Sequence, residues 1–87
     1  MAYVYILICA DQTLYTGWTV DLERRLSEHN GGKKGSRYTR ARRPVRLAYS
    51  EVLADSVSAM RREAQIKKLS RTQKLELIAE NRPNDAR

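Results

Sequence analysis

Ala2-Tyr3-Val4-Tyr5-Ile6-Leu7-Ile8-Cys9, followed after Asp11-Gln12-Thr13 by Leu14-Tyr15-Thr16-Gly17-Trp18-Thr19, is the stretch that decides the fold. The first run is rich in Tyr, Val and Ile, too short for an ordinary helix, and stopped by turn-forming residues, so it reads as a strand. The second run is a strand too. So short a connection makes the pair an antiparallel hairpin, because parallel strands need a crossover of a dozen or more residues. The unbroken apolar character of the first strand predicts burial on both faces.

Beyond the hairpin, Thr19 or Asp21 caps a helix running to about Asn30, where Gly31 and Gly32 supply a left-handed end. Leu22 and Leu26 form its apolar stripe. Arg25 and His29 each lie three residues beyond one of those leucines and four apart, so both sit on the stripe's margin and can point at one place. Residues 30 to 44 lack apolar periodicity and read as a basic loop. Val45 to Val52 is a third strand, and Asp55 and Ser56 start a helix to about Leu69. Val57, Ala59, Met60, Ala64 and Ile66 lie on one half of that helix, with Glu63 and Lys67 in the same arc. A carboxylate there needs a partner. Ser70 and Gln73 form a capping box opening a last helix through about Asn81, ended by Pro83. The result is an α+β order of β-β-α-β-α-α. No repeat or composition shift divides the chain, which predicts one domain over 1–82 and a frayed tail over 83–87.

Composition narrows the function classes. At 87 residues, with 41% apolar and 31% charged, the chain is sized for one small core and is too hydrophobic for intrinsic disorder. Its longest apolar run is the nine residues from Ala2 to Ala10, against roughly 18 for a spanning helix, and no Lys or Arg precedes it as in a secretory leader. One cysteine, Cys9, has no disulfide partner and makes no zinc site. These features predict a soluble cytoplasmic protein that does not associate with membranes.

Seventeen Lys and Arg against ten Asp and Glu leave a net charge of +7, an excess that suits phosphate polyanions. Lys33, Lys34, Arg37, Arg40, Arg42, Arg43 and Arg46 fall within fourteen residues that hold no acid. That run is either a phosphate-contacting loop or a solvated charge run.

The residues able to do chemistry each have a plain structural alternative. Tyr5 and Tyr15 suit strand packing, Arg25 a charged surface, His29 a satisfied core, and Glu63 a helix-surface pair with Lys67 worth roughly 0.2–0.5 kcal/mol. Their order along the chain is more specific: Tyr-Val-Tyr at 3–5, Tyr-Thr-Gly at 15–17, then Asp-Leu-Glu-Arg-Arg-Leu-Ser-Glu-His at 21–29. With Tyr38-Thr39-Arg40 and Ile66-Lys67-Lys68-Leu69-Ser70-Arg71, this resembles the GIY-YIG nuclease superfamily, and in particular its small stand-alone bacterial branch, the YhbQ-like proteins.

The resemblance implies a three-stranded antiparallel sheet flanked by helices and a phosphodiesterase site using one divalent metal, Mg²⁺ or Mn²⁺. By position, it makes Tyr5 and Tyr15 the motif tyrosines, Gly17 the motif glycine, Arg25 the catalytic arginine, His29 the next helical catalytic position and Glu63 the metal carboxylate. The chain departs from the pattern at Tyr3, Thr16 and Trp18, which stand where relatives carry Gly, another middle residue and, in some repair-type members, Lys.

Phosphodiester cleavage needs an activated water, charge relief at phosphorus and help for the leaving oxygen. A carboxylate-held Mg²⁺ suits the last two, and the guanidinium of Arg25 suits non-bridging phosphate oxygens. Tyrosine is a poor base at neutral pH unless cations or hydrogen bonds favour its phenolate. Three functions compete. One is an endonuclease acting on nucleic acid, DNA favoured over RNA, with targeting by substrate shape or by a partner protein. The second is a non-catalytic nucleic-acid binding module on the same fold. The third, a small basic RNA-associated protein, leaves Glu63 unexplained. Lys33, Lys34, Arg37, Arg40, Arg42 and Arg43 are the nucleic-acid contacts in the first two.

Overall fold

The computed structural model describes residues 1–80. In it β1 (Ala2–Ile8) and β2 (Leu14–Thr19) pair antiparallel, in register from Tyr3 opposite Thr19 to Ile8 opposite Leu14. Asp11 closes the turn: its Oδ1 accepts from the Thr13 amide at 3.1 Å and the Thr13 hydroxyl at 2.6 Å. An Asx turn of this kind offers the backbone a partner where the ladder ends.

A short strand cannot bury two faces unless something lies on both, and here the chain supplies both layers. On one face Tyr5, Leu7, Cys9 and Val45 pack under α1 (Leu22–Asn30) and a single turn, α2 (Arg37–Arg40), with Leu22, Leu26, Tyr15 and Tyr38 around them. β3 (Arg46–Leu53) joins the free side of β1, giving the antiparallel order β2-β1-β3. On the other face Ala2, Val4, Ile6 and Tyr49 pack against Ala59 and Ile66 of α3 (Ser56–Lys67) and Leu77 and Ile78 of α4 (Arg71–Glu80). Ile6 and Leu7 are both fully buried, one into each layer, and contribute about 1.5–3 kcal/mol apiece. Both faces of β1 are therefore covered, as its composition predicts, and the sheet and the β-β-α-β-α-α order stand.

The caps follow the sequence closely. Asp21, rather than Thr19, caps α1, accepting from the Arg24 amide at 3.1 Å, and Gly32 takes φ 67° just past its end. Asp55 accepts from the Ser58 amide at 2.8 Å. Ser70 and Gln73 exchange both capping-box bonds, at 2.9 and 3.1 Å.

Two expectations change. The basic loop holds the helical turn α2, capped by Ser36, which accepts from the Thr39 amide at 3.1 Å. The inner arc of α3 is Ala59, Glu63 and Ile66, while Val57 and Met60 are 53% and 44% exposed and Ala64 is exposed too. The rotation is set by what the helix meets: small Ala59 allows close approach to the sheet, and Arg62 Nε reaches Glu51 of β3 at 2.9 Å. Glu63 keeps its inward place. The expected end of α4 at Asn81 and Pro83, the rest of the 1–82 span and the tail at 83–87 lie outside the described residues. Among those described, no helix is long and apolar enough to cross a membrane.

Candidate active site

Tyr5 points from the middle of β1 toward α1, directly across from Gly17. Its ring occupies the space a side chain at 17 would need. The phenol reaches His29, whose Nε2 lies 2.8 Å from the Tyr5 hydroxyl. His29 sits in the last turn of α1 with no exposed surface, and its Nδ1 lies 2.7 Å from Thr39 Oγ1 on α2. Both ring nitrogens are thus bonded inside the protein.

Tyr15 completes the cluster by packing edge-on against His29, with ring centroids 5.2 Å apart. It also stacks on Tyr38 at 5.8 Å, and the Arg42 guanidinium lies 3.8 Å over the Tyr38 ring. Arg25, one helical turn before His29, is held by Glu28 at 3.0 Å and by the Lys34 carbonyl at 2.7 Å. Trp18 faces away, against the core under α3 and α4.

Burial raises the Tyr5 phenol to about 12, opposed by the Arg25 guanidinium and reinforced by Tyr15 and Glu63. Burial likewise holds the His29 imidazole down at about 4, helped by Arg25 and Arg43 and opposed by Glu28. At neutral pH the pair is an uncharged phenol against an uncharged imidazole. Glu63 is itself tied to Lys67 at 3.4 Å, but Lys67 is 54% exposed, so that pair contributes little.

The structure therefore brings Tyr5, Tyr15 and His29 into contact with Arg25 beside them, while Glu63 stands on α3, in the other layer, with only a weak electrostatic effect on the Tyr5 phenol. The basic loop divides. Lys33, Lys34, Arg37 and Arg40 are exposed. Arg43 instead binds the carbonyls of His29 at 2.7 Å, Gly32 at 2.9 Å and Glu28 at 3.3 Å, a cation at the C-terminal end of α1. Arg42 is held by Asp11 at 3.1 Å and the Tyr38 carbonyl at 2.9 Å. Thr39 and Ser36 were not singled out from sequence. The available signal was the Tyr38-Thr39-Arg40 stretch preceded by a serine able to cap a turn.

Among the described residues no three His, Cys, Asp or Glu side chains cluster as a metal cage. Glu63, partly buried and acting on Tyr5, offers one hard carboxylate, a donor set that fits an ion keeping most of its own water, such as Mg²⁺ or Mn²⁺.

Two tyrosines and a histidine in mutual contact, with an arginine one helical turn away, thus stand on one face of a three-stranded antiparallel sheet, and a glutamate stands on the later helix α3. The chain belongs to the GIY-YIG catalytic-domain family, whose model matches residues 1–76. Nucleases of that family generally use divalent metal ions and act on nucleic acid. It is 58% identical to a UPF0213 protein of Syntrophus aciditrophicus over 79 residues, 91% of each chain. It is 54% identical to the UPF0213 protein CPE1444 of Clostridium perfringens, covering 91% of this chain and 84% of that one. The solution NMR structure of the UPF0213 protein BH0048 from Bacillus halodurans matches with TM-score 0.60 and 44% identity over 93% of this chain and 86% of that one. The small branch that the sequence resembles is thus the one it matches.

Proposed function

We propose that this protein is a cytoplasmic metal-dependent endonuclease that hydrolyses phosphodiester bonds in nucleic acid, DNA in preference to RNA. One observation carries the reading: the Tyr5 hydroxyl lies 2.8 Å from Nε2 of the fully buried His29, with Arg25 one helical turn away on the same helix. Packing alone would call for neither the imidazole bond nor the inward carboxylate.

In this reading a water attacks phosphorus and loses its proton to Tyr5. The phenol is too weak an acid to stand as phenolate at neutral pH, so it must pass its own proton on as it receives one. His29 Nε2 is placed to take that proton in passing: burial keeps the ring neutral at pH 7, so its lone pair is free, but also makes it a weak base that gives the proton up again. Arg25 favours negative charge on the phenol and, through the geometry of its guanidinium, binds non-bridging phosphate oxygens. A divalent ion held by Glu63 supplies charge relief at phosphorus and at the leaving oxygen when bound. Tyr15 walls the imidazole from the β2 side. Lys33, Lys34, Arg37 and Arg40 track the phosphate backbone, and selection comes from the shape of branched or damaged substrates or from a targeting partner.

The test is incubation of the purified protein with supercoiled, single-stranded and branched DNA and with RNA, in Mg²⁺, in Mn²⁺ and in EDTA. Cleavage of DNA that EDTA stops is expected. Salt-sensitive binding without cleavage in any metal would make the protein a binding module.

A further inference from the structure

His29 has two bonded nitrogens and, when neutral, one proton. Which nitrogen carries it decides whether the Tyr5 hydroxyl donates to the ring or accepts from it. The neighbours of Thr39 favour one answer. Thr39 is fully buried, and its Oγ1 has three polar contacts: His29 Nδ1 at 2.7 Å, Ser36 Oγ at 2.9 Å and the Ser36 carbonyl oxygen at 3.2 Å. A hydroxyl has one proton and two lone pairs. Of the three neighbours only the carbonyl is unable to donate, so giving it the Thr39 proton leaves one lone pair for the Ser36 hydroxyl and one for an Nδ1–H. All three contacts are then hydrogen bonds. If Thr39 donated to His29 instead, its lone pair would face the Ser36 carbonyl at 3.2 Å, an oxygen that also accepts from the Arg40 amide at 3.0 Å.

We infer that Thr39 is a positioning residue: it holds His29 in the Nδ1–H form, so that the Nε2 lone pair faces Tyr5 and the phenol donates its proton to the ring. The Tyr5 oxygen then turns its own lone pairs away from His29, toward Arg25 and the reacting water. The burial that keeps the imidazole uncharged at pH 7 makes the tautomer, not the charge, the property Thr39 governs. Thr39 belongs to α2 in the middle of the basic loop, so the loop's position and the direction of the Tyr5 proton are joined by two hydrogen bonds. The catalytic consequence rests on the nuclease reading above; the tautomer assignment does not.

His29 is the only histidine in the chain, so ¹⁵N-histidine labelling reports on this ring alone. At pH 7 the wild type is expected to show a protonated Nδ1 and an unprotonated Nε2. Thr39→Val, which keeps the branched shape and removes the hydroxyl, should lose that single form, and Thr39→Ser should restore it. Tyr5→Phe should retain it, because the determinant lies on the Nδ1 side. A wild type protonated on Nε2 overturns the inference without any variant. So does a Tyr5→Phe protein that changes tautomer while Thr39→Val does not. On cleaved DNA, Thr39→Val should lower kcat with KM held, and Thr39→Ser should recover it. Failure of the wild type to cleave any substrate bears on the nuclease reading alone, since the nitrogen signals are read without substrate.

Discussion

Gly17 and Tyr5 share one volume: a Cβ built on Gly17 would stand 2.5 Å from the Tyr5 hydroxyl oxygen and 2.7 Å from the ring carbon that bears it. The glycine of the second strand motif is there for the phenol of the first, not for an unusual backbone angle. Gly17→Ala should therefore push the ring off its bond to His29 and destabilise the fold by about 1–3 kcal/mol, the usual cost of overpacking. Urea unfolding together with the cleavage rate checks this. Wild-type stability and rate in Gly17→Ala would mean that the ring has room the geometry denies it.

Stability should fall with acid earlier than carboxylates alone would cause. The His29 imidazole is held at about 4 in the fold against an ordinary 6.5, so below pH 6.5 the unfolded chain binds a proton that the folded chain refuses. The contribution is complete above pH 6.5 and is lost as pH falls toward 4, to a limit of about 3 kcal/mol. Comparing urea midpoints of wild type and His29→Gln from pH 7 to pH 5 isolates the effect. Equal pH slopes in that interval would show that the ring titrates freely.

Much of this architecture is legible in the residues because local chemistry determines it. Asp21, Asp55, Ser70 and Gln73 act within three residues of themselves, and their caps stand as read. The rotation of α3 is different. Ala59, Met60 and Val57 do not fall in one apolar arc sharp enough to choose the buried side, and the choice follows from the packing of Ala59 and Ile66 on the sheet together with Glu51, eleven residues before its partner Arg62. The loop cations likewise look alike in sequence. Arg42 and Arg43 find their acceptors on Asp11 and at the end of α1, contacts that exist only once the layers close. Thr39 is similar: Tyr38-Thr39-Arg40 is visible as a stretch, but the role of its threonine depends on His29 ten residues earlier.

Nucleic-acid binding should be salt-steep and largely indifferent to sequence. Replacing Lys33, Lys34, Arg37 and Arg40 together by Gln removes four exposed cations. At about 0.9 per neutralised phosphate, the slope of log K against log salt on duplex DNA should flatten by up to roughly 3.6. Unrelated sequences should weaken equally. A slope identical to wild type would move the binding surface to the last two helices, around Arg61, Lys68 and Arg71.

Thr16 Oγ1 is buried with no hydrogen-bond partner among the described residues. An unpaired hydroxyl in such a place costs about 1–3 kcal/mol, and Val has nearly the same shape. Thr16→Val should raise the urea midpoint, corresponding to about 1 kcal/mol, without altering the Tyr5–His29 pair on the opposite face of the sheet. A lowered midpoint would show that the hydroxyl is bonded in solution.

In the proposed phosphodiesterase site Glu63 serves a metal. Its carboxylate lies on the inner arc of α3, partly buried beside Lys67. Glu63→Gln preserves size and hydrogen-bonding capacity while removing the charge. Side by side, wild type and variant are assayed for DNA cleavage at matched Mg²⁺, with DNA affinity and urea midpoint measured on the same preparations. Cleavage by wild type, none by Glu63→Gln, and nearly equal affinity and stability are expected. Equal cleavage rates in the two proteins would contradict that role.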